Sequence, residues 1–156
     1  MNLSLAIGVK EAANKKFMEA FIRRPTKSTP YVHLDHREGT FLLAGRSIPI
    51  DAELFFRPIL NWIESLSHDE VSVIDFRFRF DFFNIASSKR ILFILYKLSD
   101  LQKKGVRVNI KWMYERFDDD MLEIGQDYKV MVEGLNFDFE EYDILERQEQ
   151  AFAKLG

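Results

Sequence analysis

The 156-residue chain has no cysteine. That excludes disulfides, thiolate metal sites and a cysteine nucleophile in one step. Glycine is scarce, with seven residues scattered along the chain, and no glycine-rich phosphate loop can be assembled from them. Histidine is limited to His33, His36 and His68, and there is no Gly-x-Ser-x-Gly elbow, so serine nucleophiles lack an evident base. No apolar run approaches the ~20 residues of a membrane span. The start "MNLSLAIGVKEAANKK" is interrupted by Gly8, Lys10 and Glu11 and lacks a basic n-region, which argues against a signal peptide. Net charge is −3, and the basic groups Lys15-Lys16, Arg23-Arg24 and Lys103-Lys104 are too short to form a phosphate-neutralising surface. The expectation is a cytoplasmic protein with no membrane and no nucleic-acid partner, and with no cofactor.

Apolar residues are plentiful. They make up 47% of the chain, with fifteen phenylalanines, enough for one well-filled core. Residues 10–24 place Phe17, Met18, Phe21 and Ile22 at helical spacing before Pro25, predicting an amphipathic helix. "YVHLD" and "TFLLAG", joined by "HREG", predict a hairpin. Residues 51–66 carry one apolar stripe behind an Asp51 N-cap; Pro58 inside it predicts a kink or a detached first turn. Over residues 71–83, Ile74, Phe76, Phe78, Phe80 and Phe82 alternate with Asp75, Arg77, Arg79 and Asp81, the pattern of a strand with one apolar face. A helix over 86–104 ends at Gly105. "VRVNIKWMY" predicts a strand, Asp118-Asp119-Asp120 open a helix to about Lys129, "LNFDF" predicts a last strand, and 141–155 a final helix.

Strands alternating with helices predict an α/β fold: one domain with a mainly parallel mixed sheet, helices on one face, and terminal helices added. The division expected is 1–25 as an N-terminal helical extension, 26–139 as the domain, and 140–156 as a C-terminal helix.

Candidate chemistry is thin. His33, Asp35 and His36 are ligand-type residues, but no second cluster completes a metal site, and a polar hairpin explains them. Asp118-Asp119-Asp120 lack calcium-loop spacing. No catalytic residue and no metal ligand is therefore assigned. The corner "DFFNIASSKRIL" is more informative. Asn84 or Ser87 can cap the helix, and Ser87 or Ser88 at a helix N-terminus can also accept a phosphate. Leu92, Phe93 and Tyr96 lie outside the core stripe of helix 86–104, a widened apolar arc that either sits under a terminal helix or docks a partner.

Five stretches, "STPYVHLD", "GRSIPIDAELFFRPILNWIESL", "DFFNIASSKRILFILYKL", "VNIKWMYERFDDDMLEIGQDY" and "LNFDF", together resemble the SiaC-type biofilm-regulation phosphoprotein family over about residues 26–139. The resemblance implies the STAS fold of anti-sigma-factor antagonists. It also implies a non-enzymatic, partner-switching adaptor in cyclic-di-GMP signalling. Its protein partners would be a diguanylate cyclase, bound by the unphosphorylated form, and a serine/threonine kinase and phosphatase. In that family a phosphorylated threonine follows the corner asparagine. Aligned on Asn84 and Lys89, this chain has Ile85 at that position and Ala86 at the next, with Ser87 and Ser88 after them. Ile50 stands where an acidic residue is common. Phosphorylation has moved to Ser87 or Ser88, or the chain is locked in its partner-binding state, or the fold serves another interaction. The alternative from a different class is a small-ligand carrier or enzyme on the same fold, with a buried pocket lined by groups such as His33, Asp75 or Arg77. A structural homodimer is the third option.

Overall fold

The computed structural model describes residues 18–144. Six strands form one sheet in chain order: β1 (Phe21–Arg23), β2 (Tyr31–Asp35), β3 (Thr40–Ser47), β4 (Val73–Phe83), β5 (Arg107–Glu115) and β6 (Asn136–Tyr142). β1, β2 and β3 pair antiparallel, and β3 through β6 pair parallel. Three helices make the parallel connections: α1 (Ala52–Glu64), α2 (Ile85–Lys103) and α3 (Asp119–Met131). Right-handed crossovers between strands added in one direction put all three on the same face. Burial agrees: Ile74, Phe76, Phe78 and Phe80 of β4 and Val108, Ile110 and Trp112 of β5 are buried, while Asp75, Arg77 and Arg107 on the opposite face are exposed.

Two sequence expectations are corrected near the ends of the described chain. Residues 21–23 are a strand, not the end of a helix; Phe21 and Ile22 pair with Leu34 and His33 of β2. Helical periodicity lost to the open edge of β2, whose unpaired backbone groups take a partner strand. The chain leading into β1 crosses α1, where the buried Trp62 indole donates to the Glu19 carbonyl at 2.9 Å. The rest of the proposed 10–24 helix lies outside the described residues, as does most of the C-terminal helix. Residues 140–142 of that second expectation belong to β6, which runs on to Tyr142. α1 is continuous through Pro58. The missing N–H of Pro58 would have met the Leu54 carbonyl, and both residues are exposed, so water can replace the lost bond.

A third correction bears on the site. Strict alternation would bury Phe82 with Phe80, yet Phe82 is half-exposed and Phe83 lies on the core side, its ring 5.2 Å from Phe80 and 6.3 Å from Trp112. The cause is a bulge. Gly45 of β3 pairs with Phe80 and Arg46 with Phe82, so Asp81 has no partner in β3. One extra residue inverts the facing of everything after it.

Candidate functional site

The bulge leads directly into the β4–α2 corner. Asn84 holds an extended backbone (φ −83°, ψ 173°), and its Oδ1 accepts the Ser87 N–H at 2.9 Å, so Asn84 is the N-cap. Ser87 is fully buried. Its hydroxyl donates to the Ser47 carbonyl at 3.1 Å and lies 2.9 Å from the Ser47 hydroxyl. The same carbonyl accepts the Asn84 N–H at 3.1 Å. The corner is thus fastened to the end of β3 by a buried polar cluster in which each hydroxyl is satisfied. Ser88, half-buried, donates its hydroxyl to the Ile85 carbonyl at 2.6 Å. Tyr128 of α3 donates to the Ser88 carbonyl at 2.7 Å, and burial pushes its phenol above the ordinary tyrosine value, so it stays a donor.

Ile85, Ala86 and Lys89 are exposed, and Ile85 is 89% accessible. Leu92 and Phe93 are half-buried; Leu92 packs against the core, and the Phe93 ring has Lys89 and Arg90 at 5.8 and 5.5 Å. Of the three residues outside the helix's core stripe, Tyr96 is the most exposed, at 44%. Among the described residues, the three most exposed large apolar side chains lie elsewhere. Ile50, Ile85 and Phe117 are 107%, 89% and 83% accessible, and each sits in the connection just after β3, β4 or β5. Those three strands are parallel neighbours, so all three residues lie at one end of the sheet, its carboxyl edge. Phe117 also has φ of +73°, a backbone region that bulky residues rarely adopt. Exposure and strain coincide there.

Between the corner and α3 runs a trough made of two adjoining cavities that share Phe83, Ile124 and Asp127. The one at the corner, about 300 Å³, is lined by Ile85, Ser88, Tyr128 and Met131 as well; the other, about 450 Å³, by Asp81, Phe82, Asp118, Asp120, Met121 and Glu123. Sequence reasoning missed α3 as a wall of this site. The available signal was its apolar spacing, Met121, Ile124, Tyr128 and Met131, which repeats at 3, 4 and 3 residues. The trough depends on close approach of α3 to the sheet. A Cβ at Gly125 would fall 2.4 Å from the buried Trp112 ring, whose indole donates to the Met121 carbonyl at 2.9 Å.

Other polar groupings lie away from this edge. Asp75 and Arg77 do line a common basin of about 390 Å³, with Arg107, Asn109, Lys111, Asn136 and Asp138. It is a dish on the open sheet face, where Asn109 bridges Asp75 (2.8 Å) and Asn136 (2.9 Å) across β4, β5 and β6. His33 is two strands away on β2. There Asp35 and Glu38, rather than His36, converge with His33, their ligand-type atoms within 4.8 Å of one another. Asp35 Oδ1 accepts the Arg37 and Glu38 N–H groups, and Glu38 lies 3.4 Å from His33 Nε2, so closing the hairpin accounts for the cluster. Among the described residues no helix is long and apolar enough to cross a membrane.

Comparison with known proteins gives this geometry a context. SiaC of Pseudomonas aeruginosa superposes with a TM-score of 0.73 at 22% identity, covering 80% of this chain and all of that one. A chain of the crystal structure of diguanylate cyclase SiaD in complex with its activator SiaC matches with a TM-score of 0.73, 22% identity, and coverage of 78% and 99%. A curated, uncharacterised protein of P. aeruginosa is 25% identical over 104 residues, 67% of this chain and 82% of its own length. Residues 23–142, all but the first two residues of β1 and including the corner and the trough, match the profile described as SiaC family regulatory phosphoprotein. The chain belongs to the SiaC family of regulatory phosphoproteins.

Proposed function

We propose that this protein is a non-enzymatic, cytoplasmic signalling adaptor of partner-switching type, built on a STAS-like fold, that docks a regulatory enzyme at the carboxyl edge of its sheet. The observation that carries this reading is the row of three nearly fully exposed apolar residues, Ile50, Ile85 and Phe117, on three successive connections beside an apolar trough. An exposed apolar cluster has a free-energy cost in water that a partner surface removes. Membership of a regulatory family, and the likeness to an activator of a diguanylate cyclase, support a cyclase of that kind as the docked enzyme, with a kinase as the competing partner.

At the family's phospho-threonine position, Ile85 has no hydroxyl and presents most of its side chain to solvent. A docking surface that is never charged at this point stays competent to bind. Ser87 is fully buried in its hydrogen-bonded cluster, so any phosphate control falls to Ser88, a residue of the trough wall. A dianion there would be introduced beside Ile124 and Met131 and close to Asp127.

The test is a titration of the full chain into the diguanylate cyclase of its own genome, reading cyclic-di-GMP formation and complex formation together. Ile85→Asp should abolish both while leaving the fold intact, because Ile85 is almost fully exposed in the free protein. An unchanged titration with Ile85→Asp would remove the edge as the docking site. Incubation with the cognate kinase and ATP should place phosphate on Ser88 or nowhere; phosphate on Ser87 would contradict the reading.

A further inference from the structure

The trough has one chemical property that the docking reading does not require: it is lined with acid and without base. Asp81, Asp118, Asp120, Glu123 and Asp127 border it, and none of its lining residues is Lys or Arg. Among the described residues, no Lys or Arg forms an ion pair with any of these five carboxylates. Asp118 caps α3 by accepting the Met121 N–H, and Asp81 accepts the Tyr142 hydroxyl at 3.3 Å; among the described residues the other three accept no side-chain bond of that kind.

Their arrangement along α3 is regular. Asp120, Glu123 and Asp127 follow the spacing i, i+3, i+7 and form one acidic stripe. Beside it Met121, Ile124, Tyr128 and Met131 form an apolar stripe of matching spacing. Met121 and Tyr128 point into the core, while Ile124 is half-buried and Met131 is 56% exposed. An apolar seam flanked by a row of one charge is the complement of a helix whose apolar ridge is flanked by the opposite charge.

We infer that the trough between the β4–α2 corner and α3 binds a basic amphipathic helix of the partner protein, its apolar ridge on Ile85, Ile124 and Met131 and its Lys/Arg flank along Asp120, Glu123 and Asp127. This rests on the docking reading and specifies the segment that the edge receives. The same carboxylates oppose an acidic or phosphorylated segment, so the groove selects by charge as well as by shape. The chain's own residues 145–156 balance Glu146 and Glu149 against Arg147 and Lys154 and do not supply that complement.

Fluorescence anisotropy on the full chain tests this with three designed peptide helices of about five turns. They share one leucine ridge and differ in having lysine, glutamine or glutamate flanks. The lysine peptide should bind tightest and weaken strongly between about 0.01 and 0.15 M salt. The Asp120→Asn/Glu123→Gln/Asp127→Asn variant, which spares the Asp118 cap, should bind it at least about tenfold more weakly and flatten the salt dependence. Ile85→Asp should weaken all three peptides. If the glutamine peptide binds as well as the lysine peptide and the triple variant changes nothing, the charge inference falls while docking at the edge stands. If no peptide binds, the helix-in-groove inference falls, and the docking reading is decided separately by the cyclase titration with Ile85→Asp. A peptide of residues 1–17, with Lys10, Lys15 and Lys16, that outcompetes the designed one would assign the groove to the chain itself and overturn the proposal. Self-association lost in Ile85→Asp would likewise put a second copy there.

Discussion

Gly125→Ala is the substitution whose sign the structure decides most sharply. In an exposed helix interior, replacing Gly by Ala stabilises by about 1 kcal/mol through backbone entropy and propensity. Here the new methyl would lie 2.4 Å from Cδ1 and 2.6 Å from Nε1 of Trp112. That ring is fully buried, packed against Phe78, Phe80, Phe83 and Tyr128, and its N–H is committed to the Met121 carbonyl. It has nowhere to move without displacing another ring. Overpacking of this kind costs typically about 1–3 kcal/mol, and an overlap of a whole methyl belongs at the upper end. Set against the propensity gain, the net destabilisation is about 2 kcal/mol, or a Tm lower by about 4–8 °C for a chain of this length. Urea denaturation followed by circular dichroism measures it. The same change at the exposed Gln126 one residue on should alter stability by only a few tenths, about 0.3 kcal/mol. In a Trp112→Ala background, where the whole ring is gone, Gly125→Ala should turn neutral or stabilising, a coupling of about 2–3 kcal/mol. A Gly125→Ala protein as stable as the parent, or more so, would refute the claim that α3 is pinned on Trp112. Because α3 forms one wall of the trough, the variant should also weaken partner binding beyond its loss of stability.

The corner and its neighbours give three further expectations. Asn84→Ala removes the cap that accepts the Ser87 N–H and should destabilise by about 1 kcal/mol, with Asn84→Asp restoring most of it, both read by urea titration. Ser87→Ala leaves the buried Ser47 hydroxyl one partner short and should lose about 1–3 kcal/mol, whereas Ser47→Ala combined with it should lose less than the sum of the two single changes. Tyr128 has a folded pKa raised by burial above the ordinary tyrosine value, so the stability it contributes is complete below about pH 10 and is lost as pH rises beyond it. Tyr128→Phe should flatten the alkaline fall of stability, and the parent's absorbance titration at alkaline pH should show Tyr128 ionising only with unfolding.

Periodicity alone was enough for β2, for β3, for the core face of β4 up to Phe80 and for all three crossover helices, because amphipathic patterns have one low-energy way to face a common core. A capped corner was equally legible, since capping is decided within a single turn, but the sequence left Asn84 and Ser87 as alternatives and the structure assigns the cap to Asn84. The N-terminal helix failed at Phe21–Arg23 for a physical reason: the edge of β2 offers backbone hydrogen bonds that a local helical pattern cannot report. The inversion at Phe82 is of the same kind, because a bulge is a property of two strands paired at a register, and neither strand announces it. The proposed docking edge was not visible as a unit. Leu92, Phe93 and Tyr96 could be read off one helix, whereas Ile50, Ile85 and Phe117 are far apart in sequence and meet only because β3, β4 and β5 run parallel side by side.

The sequence by itself determined β2, β3, β4 up to the bulge and β5, the three crossover helices with their core stripes, and the absence of a hydroxyl at position 85, since each is written in residues a few places apart. Tertiary structure decided which serine is sealed against Ser47 and which stays accessible, and which apolar side chains remain in water. It also decided that the acidic stripe of α3 would stand beside the corner rather than elsewhere on the surface. These outcomes follow from strand order, one bulge and the seat of Gly125 on Trp112, all contacts between residues distant in the chain.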